Sequence, residues 1–137
     1  MNKSEITWTS SLVEEWLSIA AKVDRVLPPV NNKTRVSQNW NIIREWYELL
    51  WDQDEDVEPQ WHPTNQQMSM WEEVVLRWFP LIDSDKDKKV LWLRACEMGW
   101  AKIGKKIGLT RQAAAARHKR ALEQLTKTLI YFYQKKS

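Results

Sequence analysis

Gly108 interrupts two stretches of helical spacing, and that break constrains the fold more than any other feature of the chain. Before it, in WAKIGKKI, Ile103 and Ile107 recur four positions apart while Lys102, Lys105 and Lys106 project elsewhere, the period of a short amphipathic helix. Glycine tolerates the positive φ of a tight helix stop, and Thr110 can cap the following helix with its side-chain oxygen. A second helix is therefore expected from about Arg111. Ala113 to Ala116 make it a strong helix former with a thin surface, flanked by Arg111, Gln112, Arg117, Lys119 and Arg120.

The remaining elements follow from apolar spacing and capping residues. Ser11 and Glu14 read as a capping box for a helix over residues 12–26, with Val13, Trp16, Leu17, Ala20 and Val23 inward and Pro28 and Pro29 beyond its end. Residues 1–8 are polar and expected to fray. A polar connector with Lys33 and Arg35 leads to a second helix over 38–51, whose wide apolar face includes Ile42, Ile43, Trp46 and Leu50. Thr64 and Gln67 form another capping box, before a helix carrying Met68, Trp71, Val74, Val75, Trp78 and Phe79 and ending near Pro80. Asp83, Ser84 and Asp85 offer a cap for a helix over 86–98, closed by Gly99. The last helix runs past Leu122, Leu125, Leu129 and Ile130 into the C-terminal YFYQKKS. No stretch alternates as a strand would, so the expected fold class is all-α.

Charge divides the chain. From Lys86 onward there are 14 Lys or Arg against three acidic residues, whereas residues 1–85 hold 7 basic and 15 acidic ones. The expected organisation is an acidic, Trp-rich helical region over 1–82 and a basic region with a helical tail over 83–137, the two possible as one continuous domain. Such asymmetry suits a basic half that meets a polyanion, against the plainer alternative of two solvated faces of opposite sign. Alanines at a helix face let the backbone approach the base edges of a major groove, while arginine and lysine reach phosphates and guanine.

The apolar residue, Gly104, Ile107, Gly108, Leu109, Thr110 and inward Ala114 resemble the tri-helical helix-turn-helix of the fourth region of bacterial sigma factors and related regulators, with ARHKRALEQL similar to the end of the recognition helix. A longer stretch, from about Thr64 to Leu129, resembles a family of helix-turn-helix proteins from phage-like and bacterial genomes. Here His118 stands where an aliphatic or aromatic residue is usual, and Gly104 replaces the usual alanine. The resemblance implies N-terminal Trp-rich helices packed on a C-terminal tri-helical helix-turn-helix unit. It also implies double-stranded DNA as the partner, with a recognition helix over about Arg111–Leu125 in the major groove.

On that reading Thr110, Arg111, Gln112, Ala115, Ala116 and Lys119 are the candidates for reading bases, and Lys102, Lys105, Lys106, Arg117 and Arg120 for holding phosphates. Ala114, Ala121, Leu122 and Leu125 turn inward. Two roles stay open within this class: a transcription regulator, with RNA polymerase as a further partner, and a small terminase subunit of a phage-type packaging machine, with its ATPase. A homodimer fits a palindromic operator, and a larger ring fits packaging. A protein–protein interaction module without DNA binding is the alternative of another class.

No catalytic constellation is visible. His62 and His118 have no Cys or Asp at ligand or triad spacing, no glycine-rich phosphate loop occurs, and Cys96 is the one cysteine, expected in the core. Neither a cofactor nor a metal is expected. The tryptophans Trp16, Trp46, Trp71 and Trp78 fall at inward spacings, and Trp100 is expected to pack at a helix start, so core is favoured over stacking on single-stranded bases. The acidic run DQDEDVEP lacks the glycine and terminal glutamate of a calcium loop; it is either a solvated loop or a phosphate mimic, Asp52–Glu58, that covers the basic helix. MNKSEITWTSS lacks the basic and apolar segments of a signal peptide, and no run approaches the length of a membrane span, so a cytoplasmic location is expected.

Overall fold

A computed structural model describes residues 3–26 and 61–135. Five α-helices account for most of this: α1 (Ser10–Val26), α2 (Asn65–Glu73), α3 (Asp85–Ala95), α4 (Trp100–Ile107) and α5 (Arg111–Lys135). The fold is all-α, with no strand among the described residues. The helix expected over 38–51 with Trp46, the connector with Lys33 and Arg35, the Pro28–Pro29 stop and the acidic run lie outside the described residues.

The N-terminus departs from expectation. Trp8 is buried, not frayed, and α1 begins at Ser10 with Thr9 as its cap: the Leu12 amide donates to Thr9 Oγ1 at 3.2 Å, while Ser11 is exposed. Burial of one indole outweighs the cost of ordering the short polar lead, which forms a 3-10 turn at Lys3–Glu5 and accepts a 3.3 Å bond from Trp8 Nε1 at the Lys3 carbonyl. Trp8 lies in an aromatic cluster with Trp16, Trp78 and Tyr133, at ring-centroid separations of 5.1 to 5.3 Å. These rings draw together the N-terminal turn, α1, the end of the α2 segment and the end of α5.

The cluster carries a buried polar chain. Trp78 Nε1 donates to Tyr133 Oη at 2.8 Å, and that hydroxyl donates to Glu73 Oε1 at 2.8 Å. Glu73 Oε2 in turn meets Lys3 at 3.6 Å and Arg77 at 3.4 Å. Burial, together with the acceptor role of Glu73, holds the Tyr133 hydroxyl far above its ordinary pKa, so it stays a donor.

α2 starts as expected: the Thr64 amide donates to Gln67 Oε1 at 2.9 Å and the Gln67 amide to Thr64 Oγ1 at 3.1 Å. It does not run unbroken to Pro80. A π-helical turn, Val74–Trp78, and a 3-10 turn, Phe79–Leu81, follow it. Pro80 offers no amide, and its ring would crowd the carbonyl four residues before; widening the preceding turn relieves this while Val74, Val75, Trp78 and Phe79 stay buried. Trp71 is only half-buried, its Nε1 donating to Asp24 Oδ1 of α1 at 3.2 Å.

α3 and α4 stop by the same geometry with different residues. At the end of α3 the Met98 amide reaches the Leu93 carbonyl at 3.2 Å and the Glu97 amide reaches Arg94 at 2.9 Å. The left-handed residue there is Glu97, φ 68°, and not Gly99, which instead has extended backbone and precedes α4. A side chain in that conformation costs roughly 1–2 kcal/mol. At the end of α4 the Leu109 amide reaches the Gly104 carbonyl at 2.7 Å, and Gly108 takes φ 76° at no such cost.

One core runs through the whole. Val13, Leu17 and Ala20 of α1 meet Val90, Leu91 and Trp92 of α3, Ile103 and Ile107 of α4, and Ala114, Leu122, Leu125 and Leu129 of α5. Across the α1–α5 seam Thr126 donates to the Leu122 carbonyl at 2.7 Å, which leaves the Ser10 hydroxyl to donate to Thr126 Oγ1 at 3.4 Å.

Candidate nucleic-acid interface

The seat of α5 is set at Gly104. A Cβ placed there would lie 2.5 Å from the Leu109 carbonyl oxygen and 3.1 Å from Thr110, so the turn can lie flat on α4 only because this residue lacks a side chain. That is the physical reason for glycine at this position. Thr110 then caps α5: its Oγ1 accepts from the Ala113 amide at 3.1 Å and its carbonyl from Ala114 at 2.9 Å. Ala114 is fully buried against this seat.

The face turned outward is the one expected from the sequence. Thr110, Arg111, Gln112, Ala116, Lys119 and Arg120 are exposed, as are Lys102, Lys105 and Lys106 on α4. Ala115 is half-buried. Arg111, Ala115 and Lys119 follow one another at four-residue steps, hence along one side of the helix. Among the described residues, Lys105, Lys106, Arg111, Lys119 and Arg120 have no ion-pair partner. The first turn of α5 contains no acid, so the positive end of its dipole adds to these charges.

Arg117, a phosphate candidate by its place in the sequence, has internal partners: its Nε donates to Asp87 Oδ1 at 2.8 Å and its terminal nitrogen to Ser84 Oγ at 3.0 Å. Ser84 is also the cap of α3, accepting from the Asp87 amide at 3.4 Å. A side chain on the middle of α5 thus clamps the start of α3, because that acidic first turn lies beside it and an arginine fork satisfies both acceptors. Ser84 is legible in the sequence as a capping residue; nothing there links it or Asp87 to a residue 30 or more positions away.

His118 lies behind this face. It is 7% exposed, its ring 5.1 Å from that of Trp100, and the Arg94 guanidinium stacks on Trp100 at 4.2 Å while donating to the Met98 carbonyl at 3.1 Å. Burial pulls the His118 pKa below its ordinary 6.5, with Glu14 opposing and Arg94 reinforcing. His62, by contrast, is exposed, and Cys96 is a buried thiol. Among the described residues no group of His, Cys, Asp or Glu is arranged to hold a metal ion, and no helix is long and apolar enough to cross a membrane.

Residues 25–125 match the family model described as Domain of unknown function (DUF6362). The chain belongs to this family. The DUF6362 span takes in α2, α3, α4 and α5 as far as Leu125, so it contains the whole candidate face and both helix stops. It leaves out most of α1 and the Leu129 and Tyr133 anchors. No curated protein and no solved structure matches the chain.

Proposed function

We propose that this DUF6362 protein is a cytoplasmic, non-enzymatic helix-turn-helix protein that binds double-stranded DNA as a transcription regulator. α4 and α5 form the helix-turn-helix, and the first half of α5 enters the major groove. The observation that carries the reading is the outward face of α5: alanines flanked by exposed Arg111, Lys119 and Arg120, with no internal carboxylate paired to them among the described residues. Alanine lets the helix axis approach the bases, and the cations supply the phosphate attraction that dominates affinity. Arg111 and Gln112, at the start of the helix, read base edges, with Thr110, Ala115, Ala116 and Lys119 beside them; Lys102, Lys105, Lys106 and Arg120 hold the backbone.

The test is selection of bound fragments from random duplex, followed by salt titration of variants. Arg111→Ala is expected to weaken the selected site by about 1–3 kcal/mol and relax its sequence preference; Lys105→Ala is expected to weaken all sequences alike and lower the salt slope by about one. Equal binding of every duplex by the wild type and an Arg111→Ala/Lys119→Ala variant overturns the assignment. Failure to shift any duplex at low salt favours a protein-interaction module instead.

A further inference from the structure

Two rows of side chains run along the outer side of α5 at four-residue steps: Arg111, Ala115 and Lys119 in one, Gln112, Ala116 and Arg120 beside it. Each row has the same order: a polar side chain able to address base edges, then a methyl, then a cation. Arg111 and Gln112 are exposed, and among the described residues neither side chain has an ion-pair or hydrogen-bond partner. Ala116 is exposed and Ala115 half-buried, whereas Ala114, the alanine that the seat on Gly104 needs, is fully buried. Core packing thus accounts for Ala114 and not for the two alanines that follow it. Helix propensity does not account for them either, since glutamine, lysine or glutamate would serve nearly as well on an outer face. What the rows lack narrows their chemistry further. Between Thr110 and Leu122 there is no Asp or Glu, and the Thr110 hydroxyl oxygen already accepts from the Ala113 amide at 3.1 Å. An arginine fork offers only donors, which match guanine O6 and N7; a glutamine amide pairs with adenine N6 and N7; an alanine methyl meets the C5 methyl of thymine. The carboxylate that would accept from a cytosine amino group is missing.

We propose that these rows select a short duplex element in which Arg111 takes a guanine, Gln112 an adenine, and the Ala115 and Ala116 methyls lie against thymine methyls of neighbouring A·T pairs. Thymine is then told from cytosine by a methyl group and not by a hydrogen bond. This assignment of bases rests on the reading of α5 as a DNA-binding helix, and it adds which base each side chain recognises. From Arg111 to Lys119 the helix rises about 12 Å, the length of roughly three to four base pairs. An alanine has no rotamer to extend, so its methyl reaches into a groove only as far as the backbone does. With Ala114 seated on the turn that Gly104 admits, the backbone at Ala115 and Ala116 is held in place, and the two methyls form a fixed surface. Lys119 and Arg120 end the rows with charge that draws the helix toward the duplex.

The experiment uses the full chain. A core sequence is selected from random duplex, and each thymine of that core is then replaced singly by uracil, which removes the C5 methyl and no hydrogen-bonding group. Replacement of a contacted thymine is expected to weaken binding about fourfold, the factor that burial of one methyl group supplies. In an Ala115→Gly/Ala116→Gly variant the thymine-to-uracil affinity ratio is expected to fall to about one. A loss of helix stability leaves that ratio unchanged, because both duplexes meet the same protein. Arg111→Gln is expected to exchange guanine for adenine at one position of the core, by about tenfold. A selected core without guanine, uracil bound as tightly as thymine at every position, or an unchanged ratio in the glycine variant overturns the base assignment while duplex binding itself stands. Failure to bind any duplex at low salt overturns the base assignment together with the reading beneath it.

Discussion

From Leu122 to Tyr133, α5 is anchored by large side chains: Leu125 and Leu129 reach the core, and Tyr133 stacks on Trp8 and bonds Trp78. From Arg111 to Ala116 the same helix has only Ala114 fully buried, resting on a turn that Gly104 admits. The far half is held by apolar area and the near half by backbone fit. Rigidity at the near end is thus obtained without bulk, which leaves its outer side thin. Two independent devices fix one rod, and they can be broken separately.

Trp78→Ala strikes the far anchor and is expected to cost about 4 kcal/mol in urea unfolding, since it removes a fully buried indole and the bond that the Tyr133 hydroxyl accepts. A loss below about 1 kcal/mol would mean the aromatic cluster does not anchor α5. Gly104→Ala strikes the near seat. Its Cβ collides with backbone, and the expected loss is about 1–3 kcal/mol, read by the same unfolding curve. An unchanged midpoint would show that the turn lifts without cost and that the near half is not held by fit.

Between the halves stands the Arg117 clamp. Arg117→Met is expected to lower stability by about 1 kcal/mol, the scale of a partly exposed ion pair with a good geometry. The salt slope of duplex binding is expected to stay the same, because this guanidinium is spent on Asp87 and Ser84; a slope reduced by about one would return it to the phosphate contacts. The smallest effect concerns His118. Its folded pKa lies below the unfolded value near 6.5, so the unfolded chain takes up more protons in acid. Stability is therefore full above about pH 6.5 and falls as the pH drops through that value toward the lowered folded pKa. Thermal unfolding followed across this window in wild type and His118→Phe is expected to show a shallower acid slope in the variant, and parallel slopes would refute the assignment.

Much of the fold was legible wherever the cause is local. The Thr64–Gln67 box, the Gly108 stop, the Thr110 cap and the inward Ala114 all depend on neighbours within a few positions, and each stands as the spacing predicts. Other expectations fail, some of them because the deciding partner is remote. Trp8 falls in a polar lead, and its partners Trp78 and Tyr133 are remote. Gly99 is the residue that glycine's preference for helix stops points to, whereas Glu97 occupies the left-handed position. The end of the α2 segment keeps helical spacing in the sequence, but the proximity of Pro80 alters its winding. In the candidate site, the exposed cations could be picked out by helical period, but exposure does not tell a free arginine from a paired one.

The order of side chains along the chain determined by itself that this protein is helical, where most of its helices begin and end, and which side of α5 carries alanine and charge. Those properties arise from 3.6-residue periodicity and from hydrogen bonds that close within a single turn. Only the tertiary structure decided that Arg117 faces Asp87, that Trp8 completes an aromatic cluster, and that His118 opens onto a cleft beside Glu14. Each of these is a meeting of groups tens of residues apart, selected by how the helices pack, and no window along the sequence contains both partners.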